Sequence, residues 1–252
     1  MDVIKLDENI HLLKFSPEGN SFIGFNMLII IDGNDCILLD TGYERQFVVI
    51  NEYLKSVNLN IKQVIISHFH NDHIGGIPSL RHLPIHGSIF ARDTLAKYKS
   101  NDIDYSPTNP VIGEKEINFG KNNIKIINNP GHSKDGTIIV INNRFMFVGD
   151  DIIMTDKGEP VIPFCADQDL FQQKKGIEKI KTIAKDKIII PSHGELLKNN
   201  FDIFKDLDNR LIYLNYFIMN DKASYNLFVN ETFIDFKGSK WHLYNMNLKR
   251  SR

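Results

Sequence analysis

The sequence predicts an α/β (α+β) chain of two similar halves, packed sheet on sheet with helices outside. Three observations carry that prediction. Short runs rich in Val, Ile and Phe, broken by Gly, Asn and Asp, open each half as strands of an antiparallel or mixed sheet do. Each strand cluster is followed by segments whose apolar residues are spaced by three and four, the period of a helix packed on one face. No repeat, low-complexity tract or linker divides the 252 residues, so they are read as one domain, residues 1–252, with chain enough for a sizeable core.

In order, the runs VIKL, IHLLKF, FIGFNMLIII and CILLD read as strands, separated by the turn-rich SPEGNS and DGND. From Glu44 to Val57 the apolar positions Phe47, Ile50, Leu54 and Val57 mark an amphipathic helix. IKQVIIS is a strand that stops at His68. Ile74 to Leu83 suits a short helix ended by Pro84, and Leu95 to Ser100 another. Pro107 and Pro110 assign Tyr105 to Gly113 to a surface loop. In the second half NIKIIN, TIIVIN and RFMFVGD are strands, Leu170 to Ala184 a helix, KIIIPS a strand and Phe201 to Met219 a long helix. On that helix Tyr213, Tyr216, Phe217 and Ile218 are expected to pack on the sandwich, with another subunit as the alternative. Residues 201–252 hold no motif beyond this helix and a basic tail with Lys237, Lys240, Lys249, Arg250 and Arg252, read as a solvated, partly frayed terminus.

Thirty Lys and Arg against 31 Asp and Glu give a net charge of -1. Such a chain has no broad positive field to hold nucleic acid or an anionic membrane, so the expected partner is a small-molecule substrate. The apolar run Met27 to Ile31 is far short of the roughly 20 residues that span a bilayer. Asp2, Asp7 and Glu8 stand where a secretory leader needs a basic region and an apolar core, and two cysteines, Cys36 and Cys165, build no disulfide framework. The expected compartment is the cytoplasm, and oligomeric state is left open.

Nine histidines are the compositional feature that asks for a cause. SHFHNDHIGG, residues 67 to 76, places His68 and His70 two apart at a strand end, where both rings project to one side. Asp72 and His73 follow where the chain turns into the next helix. Further on, His132 in NPGHS, Asp150 in FVGDD and His193 in IPSHGE each sit beside a turn residue after an apolar strand, where sites are built. Nitrogen with carboxylate oxygen suits a borderline divalent ion, zinc first, with iron, manganese and cobalt left open. His11, His82, His86 and His242 match no such pattern and are assigned to surface or satisfied polar positions.

The segments HFHNDHIGG, PGHS, VGDD and PSHGE, in this order, resemble the metallo-β-lactamase-fold hydrolase superfamily and match its HxHxDH, His, Asp, His pattern. LLDTG, residues 38 to 42, resembles its first motif. The resemblance implies a four-layer αββα sandwich with a dinuclear site at one edge of the two sheets. It also implies the division of ligands: His68, His70 and His132 on one ion, Asp72, His73 and His193 on the other, Asp150 bridging both. Asp40 is implied to stand behind the metal loop, not on a metal.

Implied function follows from the same source. Two ions sharing a water lower its pKa and give a bridging hydroxide, which attacks a carbonyl or phosphoryl group, while Asp72 orients the water and carries a proton to the leaving group. The sequence is most similar to short lactonases and hydroxyacylglutathione hydrolases, so the expected substrate is a small ester, lactone or thioester. The alternatives are a phosphodiesterase or ribonuclease-like member, and a protein that keeps its metals only as staples. Ile153 in DDIIM stands near the position where lactonases of that group carry a tyrosine.

Overall fold

A computed structural model of the chain describes residues 1–98, 105–166 and 168–250, the side chains of 248–250 aside. It forms a seven-stranded sheet in sequential order, β1 (Asp2–Asp7), β2 (Ile10–Phe15), β3 (Phe25–Asp32), β4 (Asp35–Leu39), β5 (Asn60–Ile65), β6 (Ile85–Ser88) and β7 (Asn109–Val111). The first four strands are antiparallel hairpins, and β4 to β7 pair in parallel. A five-stranded sheet takes β8 (Glu114–Phe119), β9 (Asn122–Asn128), β10 (Thr137–Ile141), β11 (Phe145–Phe147) and β12 (Ile188–Ile190) in the reverse order, 12-11-10-9-8.

Strand alternation makes the layers. Leu12, Leu28, Ile30, Ile37, Leu39 and Ile65 of the first sheet face Ile124, Ile126, Ile139, Phe145, Phe147 and Ile190 of the second in one buried cluster. Their neighbours one residue away, Leu13, Ile29, Cys36, Leu38 and Val64, point outward onto Phe47, Ile50 and Leu54 of α1 (Glu44–Ser56) and onto Ile74, Ile77 and Leu80. On the far side Ile138, Val140, Met146 and Ile189 pack on α5 (Leu170–Ile183) and α6 (Asn200–Met219). The inner strands are thus apolar on both faces, as a sheet covered on both sides requires, while the edge strands β1 and β8 keep exposed residues. The result is the expected four-layer αββα sandwich.

Local chemistry explains the helix starts. Asp169 caps α5 by accepting from Gln172 N, Asn199 caps α6 by accepting from Asp202 N, and Ser224 caps α7 (Tyr225–Thr232) by accepting from Leu227 N. Tyr213 and Phe217 are fully buried in the cluster that covers the second sheet, against Phe228 and His242, with Tyr216 and Ile218 partly buried beside them.

Four local expectations change. The helix expected over Ile74 to Leu83 is two short turns, α2 (Asn71–Ile74) and α3 (Ile77–Leu80), with Pro78 in the first turn of the second. The next helix starts earlier, as α4 (Ala91–Lys97), and the end at Ser100 lies outside the described residues. Asn109–Val111, expected as loop, pairs with β6 as the sheet's outer strand, where Pro110 is tolerated because an edge strand leaves one row of donors unused. The tail is not frayed: α8 (Lys240–Arg250) is helical, and His242, Asn245 and Met246 are buried. Lys249, Arg250 and Arg252 are beyond the described side chains. Among the described residues no helix is long and apolar enough to cross a membrane.

Candidate metal centre

The two sheets converge at one edge, and the site is built there. Thr137 N at the start of β10 donates to Ser67 O just after β5 (2.8 Å), and Asn26 N in β3 donates to Ser192 O just after β12 (2.8 Å). Asn26 Nδ2 adds bonds to Pro191 O (2.9 Å) and Gly194 O (2.7 Å). Strand ends from both sheets are therefore locked side by side, and the residues that follow β4, β5, β9, β11 and β12 share one rim.

All seven residues expected as ligands meet on that rim. The donor atoms of His68, His70 and His132 lie within 4.8 Å of one another, as do those of Asp72, His73, Asp150 and His193. Asp150 stands between the groups. Its Oδ2 is 3.9 Å from His68 Nε2 and 3.7 Å from His132 Nε2, and its Oδ1 is 3.6 Å from His73 Nε2 and 3.4 Å from His193 Nε2. Asp72 Oδ1 lies 3.6 Å from His73 Nε2 and Oδ2 lies 3.5 Å from His193 Nε2. His11, His82, His86 and His242 lie elsewhere; His86 Nε2 bonds Gln63 Oε1 (2.9 Å) and His242 Nδ1 pairs with Tyr213 OH (3.1 Å).

Whether a cation fits is decided by the unpaired atoms. His68 Nε2, His73 Nε2 and Asp150 Oδ1 are buried without a hydrogen-bond partner. Three orphaned polar atoms aimed at one space are costly unless something cationic sits among them. The opposite nitrogens are all committed. Nδ1 of His68 faces Ser67 Oγ (3.1 Å), that of His73 faces Asp40 Oδ2 (2.8 Å), that of His132 faces Phe164 O (2.7 Å) and that of His193 faces Gly24 O (2.9 Å). Partners of this kind fix the ring and turn Nε2 toward the cluster. His70 differs, presenting Nδ1 at 3.2 Å from His132 Nε2.

Electrostatics point the same way. Burial pushes the His68 pKa well below its ordinary value, and neighbouring His73 and His70 add to it, so His68 is a neutral nitrogen donor. Burial also works against charge on His193, but Asp150 and Asp72 outweigh it and raise its pKa to about 10. His73 is raised in the same way, with burial opposed by Asp72, Asp150 and Asp40. Burial opposes ionisation of Asp72, yet His73 and then His193 bring it down to about 2. Two carboxylates so placed hold positive charge at this point, and in the metal-free chain a proton takes that place.

Three buried carboxylates that donate nothing to the cluster hold its backbone. Asp40, at φ 55°, accepts from Ser67 N (2.7 Å) and Ser67 Oγ (2.6 Å) besides His73. Its place behind the 67–73 loop is the one that the resemblance of LLDTG implies. Asp135 accepts from Phe69 N (2.9 Å), between the first two histidines, and from Ser133 Oγ. Asp151 accepts from His132 N (2.8 Å) and Asn129 Nδ2 (2.6 Å), and burial raises its pKa to about 7. Sequence reasoning missed these two, together with Ser67, Gly24 and Phe164. Only the adjacency of Asp151 to Asp150 was a signal.

A model of the metallo-beta-lactamase superfamily matches residues 22–193. The Beta-lactamase-like protein 2 homolog of Drosophila melanogaster is 28% identical over 202 residues, 75% of this chain and 65% of that protein. The Atrochrysone carboxyl ACP thioesterase of Claviceps purpurea is 26% identical over 153 residues, 57% of this chain and 45% of that protein. The chain spans 45% to 65% of the length of these two curated relatives. Among solved structures, a metallo-beta-lactamase from Pontibacter korlensis superposes with a TM-score of 0.68 at 19% identity, over 85% of this chain and 98% of that one, which shows a shared fold.

Proposed function

The chain belongs to the metallo-beta-lactamase superfamily, and from that premise we propose that it is a hydrolase of a small ester, lactone or thioester, working with two divalent ions. Zinc is the first choice for both, since the donors are imidazole nitrogen and carboxylate oxygen. The observation that carries the reading is the pair of donor groups on either side of Asp150, with buried nitrogens that no protein group satisfies. A structural metal site is a closed shell of ligands; two open groups sharing one carboxylate suit catalysis.

His68, His70 and His132 would hold one ion, Asp72, His73 and His193 the other, and Asp150 both. Bound there, the ions supply Lewis acidity toward a carbonyl and lower the pKa of water. The chain's own residues do the rest. Asp72 has the most exposed side chain of its group, 24% against 2% to 8% for His73, His193 and Asp150, so it borders the side from which substrate arrives. It is ionised at neutral pH, and accepts a proton as water adds to the acyl carbon. The C–O or C–S bond then breaks, and the same carboxyl returns the proton to the departing alkoxide or thiolate, giving acid and alcohol or thiol. The fixed Nδ1 partners keep the imidazoles from turning during these steps. Ile153 is buried, so no phenol assists from that position.

Among the three bonds the thioester is favoured by the printed names of fungal relatives such as that of Claviceps purpurea. A phosphodiester finds less support, because the basic residues of the tail include Lys237, which is paired with Glu159 (3.2 Å). The test is a panel of a lactone, an acyl thioester and bis-p-nitrophenyl phosphate offered to zinc-reconstituted protein. Turnover of the thioester or lactone is expected. Turnover of the phosphodiester alone would reverse the reading, and zinc uptake with no turnover of any of them would leave the metals a structural part.

A further inference from the structure

Residues 163–166 run beside His132 and bond it twice. Phe164 O faces His132 Nδ1 (2.7 Å), and Ala166 N donates to His132 O (3.1 Å). The Phe164 ring also lies 5.6 Å from the His132 ring. Short and without regular secondary structure, this segment has to be held by something else. Lys97 of α4 donates to Ala166 O at its end (3.0 Å), and the rest of it is held by α8, beyond the residues that match the family model.

Asn245 of α8 is 1% exposed and clasps the segment on both sides of Phe164. Its Oδ1 accepts from Cys165 N (3.0 Å) and its Nδ2 donates to Pro163 O (2.7 Å). A second donation, to Tyr213 OH (3.2 Å), ties the same amide to α6. Tyr244 OH donates to Ala166 O (3.1 Å), and the rings of Trp241 and Tyr244 stand 5.0 and 5.2 Å from the Phe164 ring. A buried amide with both ends bonded to main chain fixes where that main chain runs, because moving it strands a donor and an acceptor away from water.

We propose that Asn245 is a positioning residue of the metal centre, acting through the Phe164 carbonyl to hold His132 in the rotamer and tautomer that binds a metal. The Pro163 and Cys165 peptide groups are the parts it grips, and the carbonyl between them is the part that reaches His132. The C-terminal helix thereby completes a site whose ligands all lie before it in sequence. The effect is local to the three-histidine group, since the Asp72, His73 and His193 group is oriented by Asp40 and Gly24 instead.

The test is zinc binding to the full chain prepared metal-free, read by competition with a chromophoric chelator, so it stands whether or not the hydrolase reading holds. The two binding steps are assigned with His132→Ala and His193→Ala. Asn245→Ala should weaken the step lost in His132→Ala by about 10- to 100-fold, the range for removing a partner behind a ligating histidine. In a His132→Ala background the same change should shift the remaining step by less than about twofold, because two groups acting through one ligand are not additive. Asn245→Asp keeps the acceptor for Cys165 N and loses the donor to Pro163 O, so it should fall between wild type and Asn245→Ala. It also serves as the test if the alanine variant does not fold. Wild-type affinity in the alanine variant, or in the aspartate variant where that one is used, equal weakening of both steps, or an undiminished effect without His132 would each overturn the proposal.

Discussion

Asp40 Oδ2 lies 2.8 Å from Nδ1 of His73, and the same carboxylate accepts from both the main chain and the hydroxyl of Ser67. One side chain after β4 thus ties the strand end that carries His68 to the ring of His73, joining the two donor groups from behind. Only a carboxylate accepts on both oxygens. Asp40→Asn turns one of them into a donor facing a donor, while asparagine tolerates the φ of 55° and so leaves the backbone undisturbed. The substitution should cost about 1–3 kcal/mol in urea unfolding of the metal-free chain and weaken zinc binding by about 10- to 100-fold. Unfolding and zinc affinity both at wild-type values would show that the contact does not orient His73.

Zinc binding should release protons, and its apparent affinity should rise with pH. In the metal-free chain Asp150 and Asp72 raise the His193 pKa to about 10, above its ordinary 6.5, and His73 is raised by the same carboxylates. A metal has to displace those protons, so affinity gains up to about tenfold per pH unit for each proton lost. The stability of the metal-free chain moves the other way. A raised histidine pKa stabilises the fold fully below 6.5 and loses that contribution as pH climbs through about 10. Calorimetry in buffers of differing ionisation enthalpy measures the protons, and urea midpoints at pH 6.5 and 9.5 measure the stability. Zinc uptake without proton release would contradict it.

The residues expected as ligands were legible in the sequence, because His68, His132, Asp150 and His193 end apolar strands and the segments HFHNDHIGG, PGHS, VGDD and PSHGE resemble a known family's pattern, and strand ends at one edge of a layered fold must meet. What holds those ligands was not legible, because it depends on segments that only the fold brings together. Gly24 reaches His193 across 169 positions and Phe164 reaches His132 across 32. Asp135 and Asp151 look like ordinary turn acids until the strand ends are packed around them. The edge strand at Pro110 was missed because proline punctuates loops far more often than it borders sheets. In the tail, charge and lack of motif hide the buried face that His242, Asn245 and Met246 form.

Arg210 is completely buried in α6, and three oxygen atoms and Met154 Sδ (3.6 Å) accept from its guanidinium. It donates to Asp206 Oδ2 (2.7 Å), Val161 O (2.9 Å) and Ile153 O (2.9 Å). The two carbonyls flank the turn that follows Asp150, so the helix fixes the course of the chain leaving that residue. Arg210→Ala leaves a buried carboxylate and the Val161 carbonyl without their donor, and leaves Ile153 O with Val161 N alone (3.1 Å). Removing one partner of a buried ion pair costs about 3–5 kcal/mol, and urea unfolding should show a loss of that size. A change under about 1 kcal/mol would mean that water or a rearranged side chain replaces the guanidinium.

Gly194 follows His193 at a φ of +87°, and a Cβ there would meet Met154 O at 1.9 Å. That contact cannot be relieved by turning a side chain, because the obstacle is main chain. Met154 N in turn donates to His193 O (3.1 Å), and Gly194 O accepts from Asn26 Nδ2 (2.7 Å), so the glycine is pinned on both sides. Gly33 separates the two costs of such a substitution. It has a φ of +59° in the β3–β4 turn with nothing within 4 Å of a built Cβ, so Gly33→Ala meets only the backbone preference, about 1–2 kcal/mol. Gly194→Ala meets that and the clash, and the nearest relief is to move His193 away from Asp150 and Asp72. Gly194→Ala should therefore destabilise the chain more than Gly33→Ala and also lower its zinc content, while Gly33→Ala keeps the full complement. Equal unfolding midpoints and equal zinc content in the two variants would show that the close approach at Met154 does not constrain His193.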